Sequence, residues 1–216
     1  MFEQFRISNR LYRRTEPKLC LKSRRFHLDR VSTGRDSMTR VADLSGLLLK
    51  WEQPSLLKMG YELRTGDGEL VATLQFRSSF GSFATADSPY GCWTFKRVGF
   101  WQTKATVRSC GSDDDIAIFT NNTWSGGGTL EFSDGRTFRA TTNFWRTKLG
   151  FETEAGEKLI EFQTSGLLHL SATVEIHPSF STDGELPLLV MLGFYLIVMM
   201  HSDAATTAAA GAATAS

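Results

Sequence analysis

Fifteen consecutive residues, Leu186–Met200 (LPLLVMLGFYLIVMM), carry no charge, and only Pro187, Gly193 and Tyr195 interrupt their apolar character. A helix that is apolar on every side must be buried, either in a large core or in a membrane. At 1.5 Å per residue, fifteen helical residues reach about 22 Å, short of the roughly 30 Å hydrocarbon core of a bilayer. His201, Ser202 and Asp203 follow at once and place polar groups where a spanning segment still needs apolar ones. The run therefore reads as the core helix of a globular domain, and a tail-anchored membrane helix is the alternative.

The sequence before it supplies the other half of the argument. From about Leu47 onward, turn signals recur at Gly66-Asp67-Gly68, Ser88-Pro89-Tyr90-Gly91, Gly126-Gly127-Gly128, Ser133-Asp134-Gly135 and Glu154-Ala155-Gly156. Asp-Gly and Gly-rich pairs suit hairpins because the central turn residues need positive φ. Between the turns, apolar and polar residues alternate with the period of a half-buried strand. In 69–77, Leu70, Ala72, Leu74 and Phe76 share one face; in 167–177, Leu168, Leu170, Ala172, Val174 and Ile176 do. Further strands are predicted over 47–51, 58–64, 82–86, 91–97, 103–109, 115–120, 128–132, 136–142, 147–152 and 157–163.

About twelve amphipathic strands joined by short turns describe a meandering antiparallel sheet. A sheet of that size curls or closes, and a closed barrel wider than eight strands leaves a lumen. A helix with its side chains is about 10–12 Å across. The predicted fold class is thus mainly β, a closed antiparallel barrel of about twelve strands threaded by one hydrophobic C-terminal helix at about 185–201. Pro187 suits the first helical turn, and Thr182 with Glu185 offers a capping box. Three regions are expected: a basic extension over 1–44, the barrel with its helix over 45–203, and an Ala/Thr-rich tail over 204–216, read as a frayed end without an apolar stripe to pack.

Charge is unevenly placed. Residues 1–37 hold ten Lys/Arg and four Asp/Glu, a net of +6, which leaves −5 for the rest of a chain whose total is +1. Such asymmetry marks a tail distinct from the domain. Phe2, Phe5, Tyr12 and Phe26 interleave with its arginines. A disordered tail, a start really at Met38, and a functional basic arm are the three readings. The overall balance makes no case for nucleic acid. Cys20, Cys92 and Cys110 are odd in number and show no paired spacing, so neither a disulfide nor a zinc site is expected, and a reducing compartment is favoured. No apolar stretch of signal-peptide length follows the first residues, and cytoplasm is the default expectation.

Catalytic signatures are thin. His27, His169, His177 and His201 are the four histidines. His169 and His177 share a strand face, but eight residues at about 3.3 Å each hold them roughly 26 Å apart. Asp113-Asp114-Asp115 lacks the alternating ligands, glycine and terminal Glu of a calcium loop, and Gly126-Gly127-Gly128 is not followed by the Lys-Ser/Thr of a phosphate loop. No enzyme, cofactor or metal is expected. One surface carries a binding candidate: Lys96, Lys104 and Arg108 project outward if Trp93, Phe95, Ala105 and Val107 point inward, with Phe100 and Trp101 in the turn between the two strands. Exposed cations beside an aromatic tip suit an anionic lipid head group.

The order GYELRTGDGELVATLQF, YGCWTFKRVGFWQTKATVR, TLEFSDGRTFRATTNFW, GEKLIEF and ELPLLVMLGFYLIVMM resembles the tubby C-terminal-like superfamily, and within it the LURP-one-related and phospholipid-scramblase-like branch, over about residues 45–203. The resemblance implies a twelve-stranded barrel around a hydrophobic C-terminal helix. It also implies a non-enzymatic binding module, taking anionic phospholipid or a protein partner, with peripheral membrane association; a monomer is expected. A scramblase-like or tail-anchored membrane protein is the alternative. The branch's cysteine-rich palmitoylation cluster, proline-rich N-terminal region and calcium loop have no counterpart here, and tubby's phosphoinositide-binding basic residues do not match position by position.

Overall fold

The computed structural model describes residues 48–55, 59–79, 81–99, 104–122, 127–166, 169–177 and 184–213, all within the unit Ser37–Ser216. The basic extension over 1–44, Thr182, Phe100 and Trp101 lie outside the described residues.

Twelve strands run in chain order: β1 (Leu49–Glu52), β2 (Gly60–Thr65), β3 (Leu70–Phe76), β4 (Ala84–Ser88), β5 (Gly91–Val98), β6 (Lys104–Ser109), β7 (Asp115–Asn121), β8 (Gly127–Phe132), β9 (Thr137–Thr142), β10 (Lys148–Glu152), β11 (Lys158–Ser165) and β12 (Ser171–Ile176). Each pairs antiparallel with its neighbours in sequence, and β1 pairs with β12 through Leu49–Val174 and Trp51–Ala172, closing the barrel. Closure leaves no sheet edge unpaired. The predicted alternation sets the inward faces: Ala72, Leu74 and Phe76 on β3, Trp93 and Phe95 on β5, Leu170, Ala172, Val174 and Ile176 on and before β12 are all buried.

The helix α1 (Leu186–Ala213) threads the lumen. Leu186 and Leu188–Leu192 are buried, as are Phe194–Met199. One turn sweeps most of the wall. Gly193 lies against β10 and β11, where an added Cβ would sit 2.4 Å from the Phe162 ring and 3.1 Å from that of Phe151. Phe194 stacks on Trp51 of β1, with centroids 4.6 Å apart, and meets Tyr61 of β2 edge-on at 5.1 Å. Tyr195 packs between Phe76 of β3 and Phe95 of β5, at 5.8 and 5.2 Å. The 100° step per helical residue thus matches the strand order around the barrel.

Two readings of the sequence need correction. The helix does not end near 201 but runs to Ala213, through residues expected to fray. Alanine is the strongest helix former, and once the buried turns have met the cost of nucleation, each further turn is cheap. The segment 186–206 is therefore long and apolar enough to cross a membrane, so the fifteen-residue length no longer argues against spanning; the burial of Leu186–Met199 inside the barrel does. Second, Cys92 and Cys110 form a disulfide, with Cα atoms 5.4 Å apart. The β5–β6 register pairs Trp93 with Ser109, which brings the next two residues opposite one another. An odd count and the lack of a spacing motif carry no information about such a register. The reducing-compartment expectation loses the support it drew from them.

Candidate functional site

The barrel has two ends. At the entry end, the β2–β3, β4–β5, β6–β7, β8–β9 and β10–β11 turns surround the start of α1. Arg136, in the β8–β9 turn, bonds both Asp134 and Glu185, the residue before the helix, and lies over the Phe132 ring at 5.1 Å. The Cys92–Cys110 bond is also at this end. At the exit end, α1 emerges among the β5–β6, β7–β8, β9–β10 and β11–β12 connections. Its exposed stretch begins at His201.

At the exit end Arg97, near the end of β5, donates from both Nη atoms to the two carboxylate oxygens of Asp203, at 2.8 and 2.7 Å. That bond holds the guanidinium firmly protonated. Tyr195 donates its hydroxyl to the Ser82 carbonyl at 2.8 Å, and the Ser82 hydroxyl accepts from the Arg97 backbone N–H at 3.3 Å. Burial pushes the Tyr195 phenol up to about 12. These groups are used structurally: they fasten the β3–β4 connection, β5 and the helix to one another.

The β9–β10 hairpin at the same end is built by Asn143. Its side-chain Oδ1 accepts from the backbone of Thr147 and Lys148 at 2.8 and 3.0 Å, and its carbonyl accepts from Arg146 N–H at 2.9 Å. Asn is suited to fold back on its own turn in this way. Arg146 closes the turn in the left-handed region, at φ 54°. Phe144 and Trp145 are thereby forced to the tip, 89% and 77% exposed, packed edge to face with centroids 5.2 Å apart. Arg146 sits beside them with no ion pair among the described residues.

The sequence-predicted cations separate into two groups. Lys96 and Lys104 lie on the outer face toward the exit end, both exposed, as diagonal neighbours across β5–β6 (Lys96 pairs with Thr106, Lys104 with Val98). Such neighbours stand about 7–8 Å apart. Neither has an ion-pair partner among the described residues. Arg108 also faces outward, but lies toward the entry end and is taken up by Asp115 at 2.5 Å, with Asp113 at 3.8 Å. Two members of the acidic triplet, Asp113 and Asp115, thus pair with Arg108, and no group of three or more metal-ligating side chains occurs among the described residues.

Sequence reasoning missed Phe144, Trp145 and Arg146. The signal was present as Asn143-Phe144-Trp145-Arg146 between the strands predicted over 136–142 and 147–152, but without a Gly these four residues are not among the turn signals and carry no site reading.

Between α1 and the wall at the exit end is a small cavity of about 40 Å³, lined by apolar groups such as Ala105, Phe119 and Leu196 and by the polar Asn121 and Thr142.

No family model matches the chain, and no curated protein matches its sequence. Among solved structures, an X-ray structure of a protein from Arabidopsis thaliana is similar at a TM-score of 0.48 with 10% sequence identity, covering 74% of this chain and 93% of that one.

Proposed function

We propose that the protein is a non-catalytic binding module of the tubby-like, LURP-one-related kind, and that the exit end of its barrel rests peripherally on an anionic phospholipid surface. The observation that carries this reading is the tip of the β9–β10 hairpin. Two large aromatic side chains are held almost fully in water by a turn that Asn143 makes rigid. Aromatic rings gain by entering the interfacial zone of a bilayer, where their apolar bodies leave water. Arg146 at the same tip, with Lys96 and Lys104 on the neighbouring wall, adds attraction worth about 1 kcal/mol per cation near an anionic surface. The ordered motifs resembling the tubby C-terminal-like superfamily point to the same class of ligand.

Co-sedimentation with vesicles of phosphatidylcholine, with and without phosphatidylserine, tests the reading. The chain should pellet with the anionic vesicles only, and less as salt rises. Phe144→Ser with Trp145→Ser, or Lys96→Glu with Lys104→Glu, should release it. Equal binding to neutral vesicles, or indifference to both pairs of substitutions, sinks the proposal and leaves a protein partner as the occupant of this surface.

A tail-anchored form is the second reading, favoured by the length and composition of 186–206. It requires α1 to leave the barrel, which would expose the inward faces of twelve strands. Carbonate extraction separates the two: a peripheral protein is released, an anchored one stays with the membrane.

A further inference from the structure

We infer that the Cys92–Cys110 bond is a thiol-exchange site. Cys110 is the sulfur attacked, and small thiols that carry an ammonium group are taken in preference to thiols that carry a carboxylate. The site lies at the entry end, away from the proposed lipid surface, and does not rest on that reading.

Register and alternation build it. Trp93 points into the barrel, so Cys92 before it points outward, and its bond to Cys110 lies on the outer face. The backbone joins the same two residues. The Cys110 N–H donates to the Cys92 carbonyl at 3.0 Å, and the next pair in the ladder is Trp93 with Ser109. The strands therefore keep their register when the sulfurs part. Cys110 is exposed and Cys92 half-buried. Exchange depends on access to the sulfur attacked, and exposed disulfides are the labile ones. An incoming thiolate bonds to the Cys110 sulfur, the S–S bond breaks, and Cys92 leaves as a thiolate that takes a proton from water. A second thiolate then attacks the small-molecule sulfur of the mixed disulfide and releases Cys110. Two electrons and two protons pass from two thiols to the chain, and the thiols depart as their own disulfide.

The charge around the bond sets the preference. Asp87 on β4 is paired directly across from Cys92, and residues so paired have Cβ atoms about 4.5–5.5 Å apart. Asp113 and Asp114 follow Cys110 by three and four residues, in a turn that the Ser112 N–H closes on the Ser109 carbonyl at 3.1 Å. Asp115 is joined to Arg108 at 2.5 Å. These four carboxylates, set against the one guanidinium of Arg108, leave three negative charges beside the bond. Lys96, the next cation on the outer face of β5, is four residues from Cys92. At strand spacing that is about 13 Å, beyond the roughly 10 Å screening length of 0.1 M salt. The attacking thiolate is itself an anion. A carboxylate on it adds to the repulsion it meets here, and an ammonium on it offsets that repulsion.

Reduction kinetics of the full chain carrying Cys20→Ser, which leaves Cys92 and Cys110 as its two cysteines, test the assignment. Cysteamine, 2-mercaptoethanol and 3-mercaptopropionate are each supplied in excess at one pH. Every rate constant is divided by that of the same thiol for hydroxyethyl disulfide, an uncharged reference that removes differences in intrinsic reactivity. In low-salt buffer cysteamine should then exceed 3-mercaptopropionate by about tenfold, with 2-mercaptoethanol between them. In about 1 M salt, where the screening length falls to about 3 Å, the ratio should shrink to about twofold or less. Asp87→Asn with Asp113→Asn and Asp114→Asn should remove the preference, because Arg108 then faces Asp115 alone. Early samples quenched in acid should carry the cysteamine adduct on Cys110. Normalised rates that ignore thiol charge in low salt overturn the inference, as does a preference that survives the triple substitution. An adduct on Cys92 overturns the assignment of the attacked sulfur. Rates independent of thiol concentration would show that the bond is reached only when the domain unfolds, and would remove the site altogether.

Discussion

Arg97 and Asp203 form a two-pronged ion pair, 2.8 and 2.7 Å long, between the rim of the barrel and the helix just beyond it. Their separation in sequence is 106 residues. A second pair, Arg136 with Glu185, ties the other end of the same helix to the β8–β9 turn. The apolar core fixes how deep α1 is buried; the two arginines fix where it enters and leaves.

Asp203→Ala should therefore act locally. Asp203 is half exposed, and such pairs contribute about 0.2–1 kcal/mol to global stability. The larger change should appear in hydrogen exchange of the amides from 203 to 213, which would speed up as the outer turns lose their tether. Unchanged exchange there would show that the Ala-rich segment holds its own helix without Arg97.

Gly193→Ala sets two effects against each other. Alanine is favoured over glycine in a helix by about 1 kcal/mol. The new methyl would lie 2.4 Å from the ring of Phe162, which is fully buried, as is Phe151 beside it. Rings in a packed core cannot swing away, and overpacking costs about 1–3 kcal/mol. The steric term should win, with net destabilisation of about 1–2 kcal/mol in urea unfolding. A more stable variant would mean that α1 can shift toward the β6–β9 side, into the small cavity there.

Twelve strands were legible because period-2 alternation and hairpin chemistry are local, and both repeat every few residues. The threading of the helix was legible because Leu186–Met200 has no polar face to turn to water. What was hidden depends on register. Cys92 meets Cys110 only because Trp93 pairs with Ser109. Arg108 is neutralised because the β6–β7 pairing shifts by one residue between Val107 and Arg108, bringing Asp115 opposite. The site was half legible. Lys96 and Lys104 follow from alternation, whereas Phe144 and Trp145 fall between the strands predicted over 136–142 and 147–152, and only the turn built by Asn143 shows that they stand together at an exposed tip.

The Cys92–Cys110 bond closes a loop with a sequence separation of 18, for which chain entropy predicts about 3 kcal/mol of stabilisation. Cys92→Ser with Cys110→Ser should lower the unfolding free energy by about 2–4 kcal/mol, and a reductant should do the same to the unaltered chain but not to the double variant. Equal midpoints with and without reductant would show that the bond carries no stability. Labelling of free thiols in cell extracts made under alkylating conditions reports the compartment: three reactive thiols per chain in a reducing one, one where the bond persists.

Tyr195 gives the fold an alkaline limit. Its phenol is held at about 12 by burial, against about 10 in an unfolded chain. The native state therefore binds this proton more tightly than the unfolded state does. The resulting stability is complete below pH 10 and is lost as pH rises from 10 to 12, amounting to about 2–3 kcal/mol. Tyr61, also raised by burial, adds a loss of the same sign. Tyr195→Phe removes the larger part of this slope. It also removes the bond to the Ser82 carbonyl, at a cost of about 1 kcal/mol that does not depend on pH. The variant should thus be less stable than the parent at pH 8, and the gap should close or reverse by pH 11.5. Lysines and arginines that titrate in the same range are common to both proteins and cancel in the comparison. Urea unfolding midpoints measured for both between pH 8 and 11.5 decide the matter: curves that stay parallel throughout would mean that Tyr195 ionises as easily inside the barrel as in water, and that the aromatic belt around the helix is open to solvent.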